Sequence, residues 1–284
     1  MNVQLIAVPY DSARRGERMG AGPELLQTEL VRRLEQEGHR TAVRVLDAPT
    51  DSWRAEIRTA FDLAGEVARS VERTLSTGGF PLVLSGNCGP AALGCVSALR
   101  GSPLVFWFDA HGDFNTPDTT VGGFLDGMSM ATLTGHCWPQ LAANIPGFAA
   151  VTEENVTLIG ARDLDPLEAA ALERSKVRRV AVDDLRRALP AAIVDTRARS
   201  SPAYLHLDLD VLDPREAPIN PYQAPNGLSR ADVEWAIATI TQSERVEAAA
   251  LTAYDPTSDP EGKGREAALV LGVAVVQAVA RRHH

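Results

Sequence analysis

Val105-Phe-Trp-Phe-Asp-Ala-His-Gly-Asp-Phe-Asn-Thr-Pro117 is the stretch on which the reading of this chain turns. Four apolar residues without a polar break predict a strand buried on both faces, as in parallel sheets. The run stops at Asp109, His111 and Asp113, and α/β sheets place their sites at such C-terminal strand ends. A strand's period of two predicts that all three side chains point to one side. A second stretch repeats the design: in Tyr204-Leu-His-Leu-Asp-Leu-Asp-Val-Leu-Asp-Pro214, Asp208 and Asp210 are expected to share a face, with His206 one step further down the strand. Two adjacent strand ends carrying this many carboxylates need cations to neutralise them.

Oxygen-rich ligands with one imidazole suit manganese better than zinc in a thiolate cage. Paired ions, roughly 3.5–4 Å apart in two-metal sites, share carboxylates and activate a water. Two manganese ions per chain and hydrolysis without a covalent intermediate are the expectation.

Composition narrows the partners. The net charge of -9 over 284 residues and a pI near 5.2 argue against a nucleic-acid partner, which requires a basic face. The apolar runs fall short of a bilayer span, and the N-terminus enters a strand with no basic leader, so a soluble, cytoplasmic protein without membrane contact is expected. Cys88, Cys95 and Cys137 are too few and too unevenly spaced for a disulfide framework.

Outward from the two motifs, strands are predicted at 3–9, 41–46 (an edge), 81–85, 104–108, 155–160, 180–182, 203–209 and 245–252. Helices are predicted at 23–37, 54–76, 91–99, 128–134, 167–175, 229–242 and 263–281. Pro23 suits a first helical turn, and residues 11–23 read as a loop rich in Gly and Arg. This alternation predicts a single α/β domain over 1–284, with helices on both faces of a mostly parallel sheet. Every chemically interesting segment follows a strand and so falls on one rim.

With Asp-Ala-His-x-Asp complete at 109–113, Asp-x-Asp-x-x-Asp-Pro complete at 208–214 and Gly-Pro at 22–23, the chain resembles the ureohydrolase family of arginase and agmatinase over nearly its whole length. The resemblance implies a three-layer α/β/α fold and a dinuclear manganese amidinohydrolase. It implies Asp109, Asp113 and Asp208 on one ion and Asp109, His111, Asp208 and Asp210 on the other. Asn115-Thr-Pro117 resembles the arginase segment that meets a substrate α-carboxylate. Arg162-Asp-Leu-Asp-Pro-Leu-Glu168 resembles the segment whose second Asp and Glu read an α-amino group. Asn115, Asp165 and Glu168 would therefore bind a free amino acid; the alternative for Glu168 is an ordinary first-turn carboxylate. The chain ends within a few residues of its last predicted helix, without the tail that animal-type arginases use in trimer contacts, so the resemblance implies a monomer.

Three departures bear on the chemistry. Ser85-Gly-Asn-Cys88 stands where the family has Gly-Gly-Asp-His, making Cys88 the candidate remaining ligand, though a soft one; the alternative is an inert buried thiol. Asp126 aligns with the loop His that serves as acid/base, and an Asp at its ordinary pKa is a poor general acid. Ala253 aligns with the Glu that holds a guanidinium. Asp113, Asp126 and His206 remain the candidate catalytic groups, with His206 expected rather to hold a carboxylate. Together the departures imply an arginine-type substrate with a less basic, N-hydroxylated head group. An ordinary arginase and a catalytically weak binding protein are the alternatives.

Overall fold

The computed structural model describes residues 1–48, 55–99, 102–196 and 201–282. The first residue of the helix expected from 54 and the His283–His284 pair lie outside the described residues. Eight strands occur in chain order: β1 Asn2–Val8, β2 Arg40–Val45, β3 Phe80–Ser85, β4 Leu104–Phe108, β5 Val156–Ile159, β6 Arg178–Val180, β7 Ala203–Asp208 and β8 Val246–Thr252. They form a sheet in the order β2-β1-β3-β8-β7-β4-β5-β6, and each neighbouring pair is parallel. β2 is an edge strand, as its mixed polar pattern predicts.

The helices are α1 Gly22–Gln36, α2 Glu56–Ser76, α3 Cys88–Leu99, α4 Ser129–Leu133, the short α5 Pro139–Ala142, α6 Pro166–Arg174, α7 Leu185–Thr196, α8 Arg230–Ser243 and α9 Lys263–Arg282. Two cores result, one on each face of the sheet. Leu104, Phe106 and Phe108 of β4 join α1, α7, α8 and α9. Val105 and Trp107 of the same strand join α2, α3, α4 and α6. This split is why the strand reads as an unbroken apolar run. No helix among the described residues is long and apolar enough to cross a membrane.

Three expectations need correction. The strand expected at 180–182 is β6 at Arg178–Val180, followed by a single turn at Val182–Asp184. α7 was not expected at all. Its Pro190 reads as a breaker, yet Leu185, Leu189 and Ile193 form an i, i+4, i+8 stripe buried under the sheet, and burial outweighs propensity. The stretch expected as a loop at 11–23 contains one side of a two-residue ladder, Tyr10–Asp11 against Arg14–Arg15, a 3-10 turn at Arg18–Ala21 and the first residues of α1.

Candidate active site

The four central strands β3, β8, β7 and β4 end together, and their ends carry Cys88, Thr252, Asp208 and Asp109. The convergence is not made by the pleat alone. β4 stops at Phe108, and the chain turns through a loop in which Asp113 is left-handed, at φ +47°. β7 stops at Asp208, and a 3-10 turn at Leu209–Val211 swings Asp210 round. The Asp208 carboxylate accepts from the Asp210 N–H at 2.8 Å, which holds that turn. Period two therefore accounts for Asp109 following Trp107, but not for the placement of His111, Asp113 or Asp210.

Two groups of metal-type donors assemble among the described residues: Cys88, Asp109 and Asp208, and Asp109, His111 and Asp210. Asp109 belongs to both. The Cys88 thiol donates to Asp208 Oδ2 at 2.9 Å, and His111 Nδ1 lies 3.3 Å from both Asp109 Oδ1 and Asp210 Oδ2. Asp113 joins neither group, and its Oδ2 is buried with no hydrogen-bond partner. Burial, then the neighbouring carboxylates, pushes the Asp109, Asp113 and Asp208 carboxyls above the usual range. Burial and Asp208 likewise push the Cys88 thiol up. Burial also works against ionised Asp210, but His111 outweighs it and holds Asp210 low. Four buried carboxylates facing one imidazole, with an orphaned oxygen among them, fit divalent cations: only such charge lets all four ionise together.

Asp126 lies on the wall of the cleft and also holds the start of a helix. Its carboxylate accepts from the N–H groups of Cys88 at 3.0 Å and Gly89 at 2.9 Å, from Asn87 Nδ2 at 2.9 Å and from Ser129 Oγ at 3.1 Å. It caps the start of α3 from a distant loop. Nor does it titrate as an ordinary aspartate, because burial, partly offset by those donors, pushes it up to about 6. His206 is fully buried and outside the wall of the cleft. Its ring stacks on Trp107 at 3.8 Å, its nitrogens face Tyr204 Oη at 2.8 Å and Thr252 Oγ1 at 3.4 Å, and burial lowers its pKa to about 3. A ring so placed is a partner of Tyr204 and Thr252 and does not line the cleft.

Asn115, Asp165 and Glu168 form one hydrogen-bonded set on the wall of a cleft of about 220 Å³. Asn115 Nδ2 donates to Asp165 Oδ2 at 3.1 Å, and Phe114 N donates to Glu168 Oε1 at 2.9 Å. Asp165 and Glu168 are also the capping box of α6, so the structural duty held as the alternative for Glu168 is realised. Burial raises Glu168 to about 6. Gly112 passes so close that an added Cβ would meet Glu168 Oε1 at 2.7 Å. Ala253 lines the same cleft with φ +66°, and its carbonyl accepts from Asn220 Nδ2 at 2.9 Å.

Several neighbours escaped the sequence reading. Trp107 Nε1 donates to Asp109 Oδ2 at 2.9 Å, and its position two residues before Asp109 was the available signal. Thr252, the last residue of an otherwise apolar strand end, contacts Asp208 at 3.3 Å. Phe124 stacks on Tyr222 with centroids 5.7 Å apart at the cleft wall, a pairing of two loops with no local signal.

A profile described as the arginase family matches residues 1–280. The arginase of Bacillus caldovelox is 26% identical over 95% of this chain and 96% of its own length. That of Bacillus subtilis (strain 168) is 28% identical over 95% of each. Among solved structures, arginase from Bacillus caldovelox at pH 5.6 superposes with a TM-score of 0.85 at 24% identity, covering 96% of this chain and 97% of that one.

Proposed function

The chain belongs to the arginase family, hydrolases of the C–N bonds of amidines, and from that premise we propose that it hydrolyses Nω-hydroxy-L-arginine to hydroxyurea and L-ornithine. The substituted positions resemble those of the amidinohydrolase that serves D-cycloserine biosynthesis. Water adds its oxygen to the head-group carbon, the bond from that carbon to Nδ breaks, and ornithine leaves as the amine after gaining a proton.

Cys88, Asp109, Asp113 and Asp208 would hold one manganese ion, and Asp109, His111, Asp208 and Asp210 the other. When bound, the ions would neutralise the carboxylates, polarise the head group and make water nucleophilic at neutral pH. Asn115, Asp165 and Glu168 would hold the α-carboxylate and α-amino groups, which sets the amino-acid requirement. Asp126 lines the cleft, but its carboxylate is already engaged by Cys88 N, Gly89 N and Asn87 Nδ2, with the Ser129 hydroxyl shared between that carboxylate and the Asp126 carbonyl. That engagement is the observation that carries the reading. With Asp126 occupied and a methyl at Ala253, the cleft lacks both the acid and the carboxylate that the resemblance assigns to a guanidinium. An N-hydroxyguanidine is less basic and brings a hydroxyl that can pass its own proton, so it needs neither.

The test is turnover of the manganese-loaded enzyme on both substrates with product identification. The kcat/KM for Nω-hydroxy-L-arginine should exceed that for L-arginine by at least about a hundredfold, roughly 2.7 kcal/mol of barrier. Similar values would make the protein a plain arginase.

A further inference from the structure

Beneath the Cys88–Asp208 contact runs a row of side chains with no assigned part in the reaction. Thr252 Oγ1 lies 3.2 Å from Cys88 Sγ, 3.3 Å from Asp208 Oδ2 and 3.4 Å from His206 Nε2. His206 Nδ1 lies 2.8 Å from Tyr204 Oη. Cys88, Tyr204, His206 and Thr252 are each at most 1% exposed. The imidazole cannot turn away, because it stacks at 20° on Trp107, itself tied to Asp109.

We infer that Tyr204, His206 and Thr252 form a one-directional hydrogen-bond chain ending on the Cys88 sulfur, which positions that sulfur as a ligand. The inference rests on the reading that Cys88 ligates. The direction follows from counting protons. A ligating cysteine is a thiolate and only accepts. Its neighbour Asp208 is a carboxylate and also only accepts, so the single Thr252 proton must serve that pair. The Thr252 oxygen is then free to accept, and His206 Nε2–H is the donor that faces it. His206 Nδ1 consequently carries no proton and accepts from the Tyr204 hydroxyl. The opposite tautomer would take the Thr252 proton for Nε2 and leave the thiolate without a donor in a buried site, a costly arrangement. Tyr204, His206 and Thr252 are thus positioning residues, and one choice of tautomer orders the whole row. His206 is neutral and serves by its shape and its one N–H.

Two readouts other than turnover test this. Cobalt(II)-loaded protein should show a near-ultraviolet sulfur-to-metal charge-transfer band that Cys88→Ser abolishes. Thr252→Val should shift that band and weaken the ion at Cys88 by about tenfold or more, the usual loss when an outer partner of a ligand is removed; Thr252→Ser should restore both. In cadmium-loaded wild-type protein, ¹⁵N imidazole shifts should show His206 protonated at Nε2, a measurement that needs no variant to fold. A band present in wild type but unaltered in Thr252→Val, or a ring protonated at Nδ1, would overturn the chain while leaving Cys88 a ligand. A wild-type protein with no charge-transfer band would remove the ligand itself and the chain with it.

Discussion

Cys88 is the first residue of α3, where backbone N–H groups favour a thiolate, yet burial among carboxylates pushes its thiol up. A bound cation reverses that balance by supplying the missing positive charge. Manganese should therefore slow alkylation of Cys88 by a small reagent at least about tenfold, while the rate at Cys137, a member of neither donor group, stays unchanged. Peptide mapping with and without metal reads this directly, and equal rates at Cys88 would return it to an inert core thiol. Glu168 gives the second residue-scale expectation. Burial raises it from 4.5 to about 6, so its ionised form is disfavoured in the fold. Below the unfolded value both states hold the proton and nothing is lost. As pH rises through the window from 4.5 to 6 the unfolded chain ionises first, and the fold loses about 2 kcal/mol by neutral pH. Glu168→Gln does not titrate. In metal-free protein the stability of Glu168→Gln relative to wild type should climb by about that amount across the window, as denaturant unfolding would show. A flat difference would mean that Glu168 is not held as described.

At the scale of elements, α3 depends on a cap from outside its own sequence. Asn87, the residue before it, spends its Oδ1 on Ser12 N at 2.8 Å, so Asp126 satisfies the first two N–H groups of the helix, those of Cys88 and Gly89, from 38 and 37 residues away. A negative charge there also suits the helix dipole. Replacing Asp126 with Ala should cost about 2 kcal/mol of stability, since buried N–H groups lose their acceptor. It should also loosen the ion at Cys88 more than the ion at His111, because the first turn of α3 carries the sulfur. A stable variant with both affinities unchanged, by calorimetry and metal titration, would show that the cap is dispensable. The passage from β3 into α3 is equally constrained: a Cβ at Gly86 would meet Tyr10 O at 2.2 Å.

For the whole molecule, the four central strand ends concentrate more negative charge than the fold can tolerate unneutralised, in a chain already at -9. Metal binding and stability are therefore linked. At free manganese a hundredfold above its dissociation constant, each site should add about 2.7 kcal/mol. That corresponds to a rise in thermal midpoint of about 4–5 °C per site for a chain of this size. Chelation should reverse it, and metal analysis should find two ions per chain. A midpoint indifferent to manganese, or a stoichiometry of one or zero, would sink the dinuclear arrangement.

Sequence alone determined the sheet and the motifs, because both are local. Four apolar residues in a row suit a strand covered on both faces, as in a parallel sheet, and Asp109, His111, Asp208 and Asp210 sit at the ends of such runs. It also located Ala253 and Cys88 at the site, through resemblance. Tertiary structure alone decided what depends on partners far along the chain or on the conformation of a turn. Cys88 meets Asp208 across 120 residues, and Asp113 reaches the site through a left-handed backbone rather than a pleat. Asp126 became a helix cap because the loop that carries it folds over α3, which no local pattern encodes. His206 shares a strand face with Asp208 yet lies under Thr252, off the wall of the cleft. α7 exists in spite of Pro190 because the apolar stripe of Leu185, Leu189 and Ile193 has a sheet to lie on. Periodicity tells which way a side chain leaves its own strand; what it meets there is set by the packing of elements that the same short stretch does not contain.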